Sequence, residues 1–198
     1  MQTIRSIFIA VCLFILASCG GGGSSSDSAG NRVTKVVAIG DSIGAGFGGV
    51  NPWPVLLGEK LGVLVVNNSI SGRQVVGGAS VVRALLETEQ PSHLVVLLGS
   101  NDARNGSVSS AVSNMNFIVQ AAVEAGVVPI IGTVPPNFES STFNADGAQI
   151  SASYRGIGGA VIANVREAFG NNAAFFQDGL HPNNDGQELI AQTFRDAF

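Results

Sequence analysis

The chain has 198 residues, of which 45 % are hydrophobic and only 12 % charged; that is enough apolar material for one packed domain and too little charge for long disorder. A net charge of -4 and a pI near 5.0 leave no basic face for a phosphate backbone, so nucleic acid is excluded as a partner. Both cysteines, Cys12 and Cys19, lie near the amino end, and the remainder has no disulfide framework, thiolate nucleophile or thiolate metal ligand.

The chain opens as a targeting segment. Arg5 precedes an apolar run from Ile7 to Ala17, which is short for a membrane span and the right length for the core of a signal peptide. Leu16-Ala17-Ser18-Cys19 resembles the bacterial lipobox, in which the cysteine is lipidated and becomes the first mature residue. Residues 1–18 are therefore expected to be a signal peptide and Cys19 the lipid attachment point, palmitate included. Residues 20–31, GGGGSSSDSAGN, read as a flexible Gly/Ser tether, so that 19–32 separates the anchor from the fold. The lipobox resemblance, with Gly20 after the cysteine, implies a periplasm-facing protein held on a membrane, the outer membrane in particular.

From residue 33 onward, apolar runs alternate with amphipathic stretches. Val36–Ile39, Leu64–Val66, Leu94–Leu98, Val127–Ile131 and Ala174–Phe176 are short, aliphatic and bounded by Gly, Asn or Pro. Uninterrupted runs of this kind suit strands buried on both faces of a parallel sheet. Helices are expected at Pro54–Leu61, Ala79–Glu87, Val108–Ala125, Ala152–Phe169 and Gly186–Phe198. Gly126 closes the third of these as a C′ glycine. The pattern predicts one three-layer α/β domain over residues 33–198 with a five-stranded parallel sheet.

Ligands of such a sheet bind outside the carboxyl ends of its strands. Ser42 follows the first expected strand, Asn67–Gly72 the second, Gly99–Asn101 the third, and Asp178 with His181 the last. All four groups fall on one rim. His93 precedes its strand and falls on the opposite rim, where a surface or strand-end role is expected. Gly179 lets the chain fold back so that the Asp178 carboxylate reaches the His181 imidazole. Pro182 keeps His181 out of helical conformation, and Asn184 with Gln187 reads as the cap of the last helix.

Serine, histidine and a carboxylate on one rim are the components of nucleophilic acyl transfer. Ser42 is the candidate nucleophile, His181 its base and Asp178 the group that orients the base. Oxyanion donors are expected at the Ser42 and Gly72 backbone N–H groups and the Asn101 side-chain amide. Two other readings of VVAIGDSIGAGFGG, residues 37–50, fail. Gly44, Gly46 and Gly49 fit a dinucleotide-binding G-x-G-x-x-G, but Pro52 and Pro54 interrupt the helix it requires and no acidic residue follows the second strand. Gly40, Ser42 and Gly44 fit G-x-S-x-G, yet that motif belongs mid-chain with a histidine far from its acid. Two histidines on opposite rims offer no metal site, so neither metal nor cofactor is expected.

Four blocks in order, GDSI at 40–43, SISG ending at Gly72, GSND with Asn101, and DGLHP with Asp178 and His181, resemble the signature blocks of the SGNH (GDSL) hydrolases. WPVLL at 53–57, VVNNSISG and LVVLLGSNDARNG are most similar to its thioesterase/lysophospholipase/arylesterase branch. The resemblance implies a flavodoxin-like α/β/α sheet and metal-free hydrolysis of acyl, aryl or thio esters through an acyl-serine. It carries the same catalytic and oxyanion roles onto the residues named above. Arg73-Gln74 and Ser100 depart from the branch pattern beside the substrate pocket, so acyl preference does not transfer. Arg73 or Arg104 is placed to meet an anionic leaving group or, more simply, a solvent-facing carboxylate. The loop 134–150 should wall the pocket, with Phe138 and Phe143 lining an acyl slot or packing beneath. Two alternatives stay open: a lipid-anchored carbohydrate O-acetyl esterase, and a non-catalytic binding lipoprotein on the same fold.

Overall fold

The computed structural model describes residues 32–198; the expected signal peptide, Cys19 and nearly all of the tether lie outside them. Five parallel strands, β1 (Lys35–Gly40), β2 (Leu64–Ser69), β3 (His93–Leu97), β4 (Val128–Gly132) and β5 (Val161–Ala163), pair in the order β2-β1-β3-β4-β5. The central strands are apolar at nearly every position because both faces of the sheet are covered. Side chains alternate between faces along a strand, and β1 shows it plainly. Val37 and Ile39 join one buried cluster with α2 (Val75–Glu89), α4 (Val108–Glu124) and α5 (Ser141–Tyr154). Val36 and Ala38 join the other, with α1 (Trp53–Leu61), α6 (Val165–Phe169) and α7 (Asn184–Arg195). The result is the expected three-layer α/β/α arrangement.

Two of the expected elements are wrong, and they are linked. Ala152–Phe169 is not one helix. Gly156, Gly158 and Gly159 break it, α5 ends at Tyr154, and Val161–Ala163 forms the edge strand β5, in register with Ile130–Gly132. Glycine lowers helix stability by about 1 kcal/mol at each position, so three within four residues favour the strand that β4 can pair. Ala174–Phe176, expected as the fifth strand, is instead a short 3-10 turn over Ala173–Phe175. Phe176 then makes a single antiparallel bridge to Pro182. Much of the expected 134–150 loop is helical as well, since α5 starts at Ser141 with the Ser140 side chain as its cap.

Caps and ties close the fold around the strand ends. Asn183, rather than Asn184, caps α7 by accepting from Gly186 N. Gln187 does not cap the helix but is buried inside it. Its Oε1 accepts from Trp53 N at 2.9 Å and its Nε2 donates to the Ile43 carbonyl at 2.9 Å. It thereby joins the last helix to the start of α1 and to the turn after β1. A buried backbone group left without its partner costs roughly 1–3 kcal/mol. Gln187→Leu strands two such groups and should lower unfolding free energy by about 3 kcal/mol in a urea titration. A loss below about 1 kcal/mol would show that water replaces both bonds.

Candidate active site

Ser42 sits on the tight turn that leaves β1. Ala45 N bonds to the Asp41 carbonyl at 3.0 Å and Phe47 N to the Ser42 carbonyl at 3.1 Å, which folds the segment back on itself. The glycines of this turn are there for closeness: a Cβ on Gly44 would collide with the Ser69 hydroxyl. Both side-chain contacts of the candidate triad are in place. Ser42 Oγ lies 3.0 Å from His181 Nε2 across 139 residues of sequence, and His181 Nδ1 lies 2.7 Å from Asp178 Oδ2. A ring nitrogen facing a carboxylate carries the proton, so Nδ1 donates to Asp178 and Nε2 is left to accept from the serine hydroxyl.

The loop carrying Asp178 and His181 follows no strand, contrary to the expectation from Ala174–Phe176. It lies between α6 and α7 and is pinned by its own backbone. Gln177 N donates to the His181 carbonyl at 2.8 Å, Asn183 N to the Phe175 carbonyl at 2.8 Å, and Phe138 N to the Gly179 carbonyl at 2.8 Å. Gly179 takes φ +83, a left-handed conformation that glycine adopts without a Cβ penalty. Asp178 Oδ1 accepts from the Leu180 and His181 N–H groups at 3.0 and 2.7 Å. Burial pushes the Asp178 carboxyl up, but the His181 backbone and imidazole and the Leu180 N–H outweigh it and hold the pKa below its ordinary value.

The three candidate oxyanion donors differ. The Ser42 and Gly72 N–H groups take no partner from the described residues, and Gly72 is exposed on the loop after β2. Asn101, in the short helix α3 (Ser100–Arg104), uses its amide nitrogen twice: it donates to the Arg73 carbonyl at 3.2 Å and to Asp41 Oδ2 at 3.3 Å. Asp41 lies inside the GDSI block, which by itself assigns it no role. It is fully buried beneath the Ser42 turn, and its Oδ1 accepts from Ile43 N at 2.9 Å. Burial raises its pKa to about 6, opposed by the Ile43 N–H and by the charge of His181. The neighbour of Asn101 has a structural duty. Asp102 is buried and accepts from Val75 N through both oxygens, at 3.3 and 3.1 Å, capping α2, whose own Gln74 makes no side-chain cap.

Other expectations move. Arg73 is neither solvent-facing nor ion-paired: it is buried, and its guanidinium donates to the carbonyl and side-chain oxygen of Asn68. Burial lowers its pKa, with the Asp41 charge acting against that. Arg104 is exposed at the end of α3. His93 opens β3 on the opposite rim, buried against Phe198 with ring centroids 4.9 Å apart. Beside the site a hollow of about 10 Å³ is lined by Ser100, Val134, Pro135, Asn137, Phe143 and Leu180. Phe143 therefore faces the hollow, and Phe138 packs edge-on against Phe176.

Comparison with known proteins agrees with this geometry. The GDSL-like Lipase/Acylhydrolase family matches residues 38–189, a span holding all five candidate site residues. Esterase TesA of Pseudomonas aeruginosa is 30 % identical over 166 residues, covering 74 % of this chain and 79 % of its own. Thioesterase 1/protease 1/lysophospholipase L1 of Escherichia coli K12 is 29 % identical over 164 residues, covering 79 % of each. The crystal structure of TesA superposes with a TM-score of 0.71 at 25 % identity, over 83 % of this chain and 97 % of that one. A domain match of this extent, on a parallel sheet that gathers three of the four sequence blocks at one edge and receives the fourth there, means that the chain belongs to the GDSL-like lipase/acylhydrolase family and is an acyl hydrolase.

Proposed function

We propose that the enzyme is a serine esterase that cleaves carboxylic (acyl, aryl or thio) esters through an acyl-serine on Ser42. The observation that carries this reading is the continuous hydrogen-bonded line from Asp178 through His181 to Ser42. Neutral His181 accepts the hydroxyl proton at Nε2 as Ser42 Oγ bonds to the substrate carbonyl carbon. Asp178 stabilises the imidazolium so formed. The Ser42 and Gly72 N–H groups and the Asn101 amide receive the developing oxyanion, Asn101 exchanging one of its resting partners for it. His181 then returns the proton to the departing alcohol, and water repeats the cycle against the acyl-enzyme. The names of the relatives support an acyl group on oxygen or sulfur.

Ser42→Ala and His181→Ala should each abolish hydrolysis of a chromogenic acetate ester while the protein melts normally. Asn101→Ala should lower kcat about a hundredfold with KM little changed, since its amide acts on the transition state.

Buried Asp41 gives folding a pH signature. The unfolded chain releases this proton near the ordinary aspartate value of about 4, whereas the folded protein holds it to about 6. The native state binds the extra proton in that window, so stability falls as pH rises through it. Asp178 acts oppositely and lower: its lowered pKa adds stability above the ordinary value that is lost as pH falls through the folded one. Asp41→Asn keeps the acceptor for Ile43 N and removes the titration. The wild-type decline between about pH 4 and pH 6, at most roughly 3 kcal/mol, should be missing from its urea-unfolding profile. An identical decline in the variant would assign it to another group.

We also propose that lipidation of Cys19 holds the enzyme on the periplasmic face of a membrane. The lipobox-like LASC and the twelve residues at 20–31 support it, the latter giving a reach of roughly 20 Å. Among the described residues no helix is long and apolar enough to cross a membrane, so this attachment rests on the amino-terminal segment. Cys19→Ser should move the protein from the membrane to the soluble fraction of a Gram-negative host. Wild type found soluble and without lipid mass on Cys19 would end this part of the proposal.

A further inference from the structure

Phe47 is in contact with the candidate triad, yet no motif singles it out. Its ring lies face-on over the His181 imidazole, centroids 3.9 Å apart and planes 22° apart. A half-exposed phenyl ring, 48 % here, means little by itself, since single apolar side chains are common on protein surfaces. What marks Phe47 is the ring it covers and how firmly it is placed there. Phe47 N is bonded to the Ser42 carbonyl at 3.1 Å, so the ring belongs to the same turn as the candidate nucleophile. On the other side Gln177 Nε2 donates to the Phe47 carbonyl at 2.8 Å and to the Pro182 carbonyl at 3.2 Å. Gln177 N also holds the His181 carbonyl at 2.8 Å, and Gly48 backs directly onto the Gln177 side chain. One glutamine therefore ties the turn of Ser42 to the loop of His181 and lays the phenyl ring on the imidazole.

We infer that Phe47 is a positioning residue that holds His181 in the plane shared by its Asp178 and Ser42 hydrogen bonds and stabilises the imidazolium through its ring face. This rests on the serine mechanism proposed above. Both hydrogen bonds of an imidazole lie in the ring plane, so a flat partner on one face opposes tilting without competing for either nitrogen. When Ser42 gives up its proton the imidazole becomes cationic, and an aromatic face carries negative electrostatic potential toward a cation within about 6 Å. A saturated side chain of similar bulk fills the space but has no such face. The charged groups around His181 are Asp178 on its own loop, Asp41 beneath the Ser42 turn, and Glu139 on the segment packed against Gly179. None of them changes when Phe47 is replaced, so a variant series isolates the ring.

The test uses the full chain and a fluorophosphonate, which labels an activated serine whatever its natural ester. Ser42 Oγ bonds to phosphorus, fluoride leaves, and His181 takes the hydroxyl proton. Phe47→Leu should slow labelling about two- to fivefold on the alkaline plateau and move its acid limb about half a pH unit lower, because the imidazolium loses a stabilising partner. Phe47→Tyr should restore both rate and limb. With a chromogenic acetate ester the same loss should appear in kcat and not in KM. Gln177→Ala, which frees the turn but keeps the ring, should shift the limb in the same direction by less. Thermal melting verifies folding, and Phe47→Met makes the same comparison if Phe47→Leu destabilises the turn. Wild-type rate and limb in Phe47→Leu would reduce Phe47 to a space-filler. A limb moved upward would mean that the ring acts by excluding water; either result overturns the inference. Absence of labelling in wild type would instead fault the serine mechanism, and Ser42→Ala and His181→Ala controls separate the two failures.

Discussion

Parallel pairing of β1 with both β2 and β3 governs where the polar groups of this enzyme stand. Because the three strands run the same way and their registers align Gly40 with Ser69 and with Leu97, their carboxyl ends finish side by side. Chain leaving those ends at Ser42, at Gly72 and at Asn101 has nowhere to go but one rim. The apolar strand interiors supply the stability of the sheet. The rim, where pairing stops, is left free to carry backbone N–H groups that no neighbouring strand uses. A site made of N–H donors and one hydroxyl fits this edge naturally.

Rigidity at that edge comes from buried polar groups a short distance below it. Asp41, Asn101 and the Arg73 carbonyl form a connected set that links the turn after β1, the helix after β3 and the loop after β2. Asp102 closes the start of α2, and Gln187 joins α7 to the same turn from the other side. Each of these groups is hydrogen-bonded, a condition under which polar networks define geometry without unpaired groups in a low-dielectric interior. The cost of burying Asp41 shows in its raised pKa. That carboxylate faces Asn101 and feels His181, so the candidate oxyanion donor and the candidate base share one electrostatic neighbour.

The candidate acid–base pair, Asp178 and His181, reaches the rim by a different route. Its loop belongs to no strand and gains its shape from the Phe176–Pro182 bridge, from Gln177, and from Phe138 bonded to Gly179. Segments following β1 and β4 and the α6–α7 connection therefore meet around His181. Phe47 and Phe138 give this meeting place an exposed apolar lip, while Asp178, at 41 % side-chain exposure, stays in touch with solvent.

Much of this was legible in the sequence, for a physical reason. Buried parallel strands must be apolar throughout, so Val36–Ile39, Leu94–Leu98 and Val127–Ile131 stand out, and strand direction alone then assigns Ser42, Gly72 and Asn101 to one edge. Asp178 and His181 were readable because their partnership is local, set by a three-residue spacing and a glycine within it. The fifth strand was not. Val161–Ala163 is short and on the sheet edge, and only the presence of β4 beside it decides that it extends, while Ala174–Phe176 looks more strand-like and finds no partner strand. The contacts of Phe47, Asp41 and Gln187 were equally silent, and Gln187 reads in sequence only as part of a helix cap, since each contact is made far along the chain: with His181, with Asn101, and with Trp53 and Ile43. Local chemistry and strand patterning were thus determined by the sequence itself. The edge strand, the buried supports and the aromatic face over the imidazole were decided by tertiary structure, because long-range partners alone determine which polar atoms are satisfied and which rings meet.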